Sequence, residues 1–266
     1  MYPTPTAWLL YLCEQARAER LPHLDILINS TGLDSSTLEE LAELVPQPQY
    51  ANLLDGTPEQ ALQGPHLIRL AYEESSHYDW LHTLIETTYG DFRVLALLSP
   101  WPFDDLSQHL CTCTQAEWNQ GEDGGLLRYW EPRLLRPISE AFTPEQSRWF
   151  HRAVINWYWL DRDNKTEQLT GWLDRSTQPQ PTQALTLSNE QVAELIAWTE
   201  AEDFRMGTGI KPQDCGLGSR EMLARHLFHA QRDADRASIY DSEQRRAHIR
   251  QWLLRYSTVA PQAPQA

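Results

Sequence analysis

Lysine is nearly missing from this chain of 266 residues; Lys165 and Lys211 are the only two. With 37 acidic residues against 22 basic ones, the formal charge is −15. A chain this acidic repels phosphate backbones and anionic lipid unless it gathers its bases locally. It does so only from Ser219 to Tyr256, where eight Arg face five acids, a net of +3 that leaves −18 on the rest. The expectation is an acidic body beside a mildly basic helical tail, with neither nucleic acid nor membrane as partner.

Cysteine is sparse too. Cys13, Cys111, Cys113 and Cys215 form no Cys-x-x-Cys and no framework of a small secreted fold. The N-terminal residues lack the basic and apolar regions of a signal peptide, and no apolar run is long enough to span a bilayer. The expected compartment is the cytoplasm.

The usual marks of catalysis are missing as well. There is no Gly-x-Ser-x-Gly elbow. Gly207-Thr208-Gly209-Ile210-Lys211 looks like a phosphate loop, but Pro212 stands where a helix N-terminus would donate N–H groups. His109, Cys111 and Cys113 lie close together without a fourth zinc ligand at recognisable spacing, and buried inert thiols explain them better. His226 and His229 stand at i, i+3 with no accompanying acid. The expectation is no catalytic residue, no metal and no cofactor: a binding protein and not an enzyme.

Aromatic residues are plentiful, with eleven Trp and ten Tyr. They serve either core packing or a partner surface. From residue 23 to residue 110, short apolar runs alternate with helical patterns, the sign of an α/β layer arrangement. The expected strands are 23–29, 50–54, 66–71 and 92–98; the expected helices open at Ala7, at Ser36 (with Glu39 as a capping box), at Thr57, at residue 76 and near Phe103. Strands at 112–119 and 126–130, joined by a Gly-rich turn, predict a hairpin and so a mixed sheet. Thr143-Pro144-Glu145-Gln146 opens another helix, and Asn156 to Leu160 reads as a last strand. The fold class expected is α+β: an N-terminal α/β lobe over 1–174 with a mixed sheet flanked by helices, a linker over 175–187, an all-helical lobe over 188–258 and a disordered tail over 259–266.

The stretch that stands out is Leu127-Arg128-Tyr129-Trp130-Glu131-Pro132-Arg133-Leu134-Leu135. It reads as a strand, a corner and a helix start, with Pro132 at the first helical position. Three charges sit among large apolar side chains, where an unpaired charge is expensive. A Glu131 carboxylate between the Arg128 and Arg133 guanidinium groups resolves that cost. The cluster serves either architecture or ligand binding, with Tyr129 and Trp130 as apolar anchors in the second case.

This stretch resembles the signature of the type VI secretion effector adaptor/chaperone family, which usually carries an aromatic pair followed by Asp-Pro-Arg; Glu131 stands in place of the Asp. Ala7-Trp8-Leu9-Leu10-Tyr11-Leu12, Leu53-Leu54-Asp55-Gly56-Thr57 and Gly64-Pro65-His66-Leu67-Ile68 fit in order, so the resemblance covers roughly residues 7 to 160. It implies a cytoplasmic adaptor that binds one toxic effector protein and promotes its loading on the VgrG spike, with VgrG as a further contact. The C-terminal helices, where the resemblance fades, would set cargo choice. Two other classes stay open: a hydrolase-like enzyme with an unfamiliar site, and an acidic immunity-type protein that blocks a toxin.

Overall fold

A computed structural model describes residues 3–54, 64–174 and 184–257. The chain is α+β and divides into two compact units, Met1–Ser188 and Asn189–Ala266. The expected helix start at Thr57 and the motif residues Asp55, Gly56 and Thr57 lie outside the described residues, as does the tail over 259–266.

In the first unit, α1 (Pro5–Ala18) starts where the Thr4 side chain accepts from the Ala7 N–H and Pro5 takes the first helical position. Next come β1 (Leu24–Asn29), the short α2 (Ser35–Glu39), β2 (Gln49–Asn52), β3 (Pro65–Leu70), α3 (Ser75–Thr87) and β4 (Val94–Leu98). The cap of α2 is Asp34, which accepts from Ser36 N–H at 3.2 Å; the expected Ser36 capping box is displaced by two residues, and a 3-10 turn over Glu40–Glu43 follows. Further on lie α4 (Phe103–Cys113), β5 (Gln115–Trp118), β6 (Asp123–Leu126), α5 (Pro132–Ala141), α6 (Pro144–Phe150), β7 (Asn156–Leu160), β8 (Thr166–Thr170) and β9 (Leu185–Thr186).

Six strands form one sheet in the order β2-β3-β1-β4-β7-β8, and every neighbouring pair is antiparallel. The expected mixed pairing is therefore absent from the large sheet. The reason lies in the connections. Helix α2 joins β1 to β2, and α3 joins β3 to β4, but in each case an antiparallel strand lies between the joined pair. This is the split β-α-β-β-α-β arrangement, with β7 and β8 added at one edge as a hairpin. Mixed pairing occurs instead in the small sheet, where β5 pairs antiparallel with β6 and parallel with β9. Leu185 and Thr186, which the sequence places in a linker, supply that parallel strand; residues 175–183 of the linker lie outside the described residues.

Both faces of the large sheet are buried at its central strands. On one, Leu24, Ile26, Ile28, Ile68 and Ala96 join Trp8 and Leu12 of α1 and Leu81 and Leu84 of α3 in an aliphatic core. On the other, Leu27, Leu67, Leu97 and Trp157 are each buried completely. There the packing is aromatic, with Tyr129 and Phe150 against Trp157 at ring separations of 6.2 Å each. Two covered faces explain why β1, β3 and β4 read as nearly unbroken apolar runs.

The second unit holds α7 (Asn189–Thr208), α8 (Arg220–Arg236) and α9 (Ser242–Ser257). Trp198 of α7 stacks on Phe228 of α8 at 4.4 Å. Arg245 of α9 ties the three helices together. It bonds Gln231 Oε1 at 2.7 Å and the Ile239 carbonyl at 3.1 Å, and pairs with Glu200 at 2.6 Å and Asp235 at 2.7 Å.

Candidate partner-binding site

The corner between β6 and α5 is built by a hairpin that starts one turn earlier than the sequence suggests. Asn119, Gln120 and Gly121 take positive φ, and β6 spans Asp123–Leu126, so the expected strand over 126–130 is mostly loop. Side chains would be tight at these glycines: a Cβ on Gly125 would stand 3.0 Å from the Trp118 ring, and one on Gly124 3.3 Å from the Ala116 carbonyl.

From Leu127 the chain turns tightly. Leu127 N–H donates to Thr114, Tyr129 N–H to Leu127 and Glu131 N–H to Arg128, at 2.8, 2.8 and 3.1 Å. Helix α5 then opens at Pro132, with the Glu131 carbonyl taking the N–H groups of Leu134 and Leu135. The turn drives Tyr129 inward. Its hydroxyl donates to the Leu110 carbonyl at 2.8 Å, and its ring meets Trp130, Phe150 and Trp157 edge to face. Tyr129 is 0% exposed and Trp130 only 4%, so neither ring is available as a surface anchor; both hold the aromatic layer.

The three charges do come together as the spacing requires. Glu131 is buried, with one carboxylate oxygen on Arg128 Nη2 in a short contact and the other 3.2 Å from Arg133 Nη2. Arg133 lies over the Phe92 ring at 5.5 Å, while the Arg128 side chain is 53% exposed. The corner thus presents one cation outward on a carboxylate that is itself fixed from behind. That geometry suits recognition of an acidic or carbonyl-rich group.

Sequence reasoning missed a second buried carboxylate. Asp25 of β1 is 0% exposed and faces Arg69 of β3, its register partner. Arg69 Nε and Nη2 meet the two carboxylate oxygens at 2.7 and 2.9 Å, and Nη1 donates to the Trp101 carbonyl at 3.0 Å. Burial pushes the Asp25 carboxyl up from its ordinary value, and the Arg69 hydrogen bonds and charge pull against that shift. The signal was available: β1 and β3 each carry one charge in an otherwise apolar run.

Two histidines with nucleophile-type neighbours test whether the unit holds a hydrolytic pair. His151 Nδ1 accepts from Trp157 Nε1–H at 3.0 Å, and an indole can only donate, so the remaining proton of neutral His151 sits on Nε2. That proton points at Ser139 Oγ, 3.1 Å away, and the Ser139 hydroxyl donates to the Leu135 carbonyl at 2.8 Å. The imidazole therefore cannot take the serine proton. His109 Nε2 lies 3.0 Å from the Phe150 carbonyl, which can only accept, so Nε2 is protonated and cannot act as base toward the Cys113 thiol at 3.6 Å. Burial lowers both imidazoles to about 4 and pushes Cys113 well above its ordinary value. Both pairs are wired as packing, with no base facing a nucleophile. Among the described residues no cluster of metal ligands forms, and no helix is long and apolar enough to cross a membrane.

A family model described as a domain of unknown function, DUF4123, matches residues 26–148, from β1 through most of α6. The match includes the corner and all five residues singled out there. Neither the curated proteins nor the solved structures gave a match.

Proposed function

We propose that this protein is an adaptor that holds one type VI secretion effector in the cytoplasm and promotes its loading on the VgrG spike. The observation that carries the reading is the family match over residues 26–148, since that family is associated with effector adaptors of type VI secretion. The matched span contains the corner whose motif resembles the adaptor signature. The inverted hydrogen bonding of Ser139–His151 and Cys113–His109 adds support, because it removes these two buried nucleophile–base pairs from an enzymatic reading.

In this reading Arg128 is the contact residue at the corner and Glu131 the positioning residue behind it. An effector meets the exposed guanidinium and leaves the buried rings undisturbed. The test is copurification of the tagged protein from its own cells, with mass spectrometry of what stays bound. Recovery of one large toxin, with or without VgrG, is expected. A protein recovered alone from cells assembling a type VI apparatus would overturn the reading.

A further inference from the structure

At the far side of the same unit, β2 forms an edge of the large sheet and pairs only with β3 among the described strands. Leu53 N–H donates to the Pro65 carbonyl at 3.0 Å, which fixes the alternation along the pair. Two residues earlier, Ala51 faces Leu67 in the bonded position, so the Tyr50 N–H and C=O point away from β3. The opposite edge is guarded: Arg136 on α5 donates to the Gln168 carbonyl of β8 at 3.1 Å and pairs with Glu167 at 2.6 Å.

Beside this edge, which no other described strand covers, lies a pocket of about 550 Å³ walled by Leu33, Leu38, Leu41, Ala42, Pro48 and Tyr50. Tyr50 belongs to both the pocket and the edge, and Pro48 of the pocket wall directly precedes β2. The Tyr50 ring is stacked on His66 at 5.2 Å, with its hydroxyl 2.5 Å from His66 Nδ1. The surroundings are of one sign. Asp34 and Glu39 line the pocket, Glu40 and Glu43 are exposed on the 3-10 turn that follows α2, and no Lys or Arg occurs from residue 21 to residue 68. Arg93 is engaged with the Thr31 and Asn29 carbonyls beside Gly32, and Arg69 of β3, opposite Gln49, is held by Asp25.

We propose that this edge and pocket dock an extended basic segment of a partner polypeptide, which adds to β2 as a further strand. An added strand satisfies the outward backbone groups at Tyr50. Its alternate side chains drop an apolar residue into the pocket, while flanking Lys or Arg meet Asp34 and Glu39. The choice of a basic occupant rests on charge complementarity, since an acidic strand would face Asp34 and Glu39 in a stretch without a Lys or Arg. The inference deepens the adaptor reading and rests on it, naming a surface and a chemistry for the bound protein.

The probe is a fluorescein-labelled peptide, Leu-Lys-Val-Lys-Leu-Lys-Val, compared with its Glu-for-Lys counterpart and with a version N-methylated at alternate residues. Anisotropy with the full-length protein should show the Lys peptide bound at least tenfold more tightly than the Glu peptide. N-methylation should abolish binding, and the Tyr50 amide should exchange more slowly in the complex. Ala42→Lys, an exposed change at the pocket wall, should weaken the Lys peptide at least tenfold with an unchanged circular dichroism spectrum. Equal binding of the N-methylated peptide, or undiminished binding to Ala42→Lys, would reduce the effect to general attraction by an acidic protein and overturn the proposal. Absence of binding by the Lys peptide would overturn it too. These failures leave the adaptor reading standing, because copurification tests that reading separately.

Discussion

Two buried carboxylates of the first unit, Asp25 and Glu131, solve one problem in different ways. Asp25 is sealed in the sheet with both oxygens on a single guanidinium that is itself only 11% exposed. Glu131 is held between two guanidinium groups, one packed on Phe92 and the other more than half exposed. A closed pair offers nothing to a partner; its worth is in fixing the register of β1 against β3. An open triad keeps a positioned cation at the surface at the cost of burying one carboxylate. The difference separates architecture from a site that a second protein can reach.

Removing one member of each cluster should expose that difference. Asp25→Ala leaves Arg69 buried without its carboxylate and should cost about 3–5 kcal/mol. Urea denaturation of the variant measures this. An Asp25→Leu/Arg69→Met double variant should regain most of the loss, because an apolar pair replaces the charges without leaving one behind. A full loss in the double variant would mean the pair does more than occupy its volume.

Acid should strike the aromatic layer next. His109 and His151 are held near 4, below the ordinary value of about 6.5. Between those values the unfolded chain binds protons that the folded chain does not. Stability is therefore fully present above about pH 6.5 and is lost as pH falls toward 4. Each histidine should account for on the order of 3 kcal/mol across that window. Stability measured from pH 7 to 4, with His151→Gln as the comparison, should show a shallower slope in the variant.

Glu131→Ala should cost less than the Asp25 change, about 2–3 kcal/mol, because Arg128 regains water on release while only Arg133 stays partly buried. A loss equal to that of Asp25→Ala would make the corner as architectural as the sheet pair. Arg128→Ala should be the mildest, below about 1 kcal/mol, since exposed ion pairs contribute little. Its effect should appear in partner binding instead of in melting.

Much of the fold was legible because strands and helices in the first 110 residues obey their own periods. The boundaries of β1, β3, α3 and β4 fall within two residues of the expectation. The Thr143 capping box is present in full, with Gln146 reaching back to the cap N–H at 2.7 Å. Strand β8 was missed because Thr166-Glu167-Gln168-Leu169-Thr170 is an edge strand with mostly polar side chains, which carries little apolar signal. Mixed pairing was expected of the main sheet and occurs in the small one, because a helix between two strands looks the same whether the strands are neighbours or separated by a third.

At the corner, the Arg128–Glu131–Arg133 contacts followed from spacing alone, since a carboxylate three residues from one Arg and two from the other lies between them at a turn. The inward burial of Tyr129 and Trp130 did not follow. It depends on Phe150, Trp157 and the Leu110 carbonyl, all at least 19 residues away along the chain. Asp25 and Arg69 are 44 residues apart; each stands out locally as one charge in an apolar run, but only strand register brings the two together.

The most direct measurement is copurification with Arg128→Ala beside the wild-type protein, each carrying the same tag, with thermal melting of both. If the corner is the reachable site, the variant melts within a few degrees of wild type and recovers at least tenfold less of the bound effector. A variant that folds normally and retains its effector in full would contradict the account.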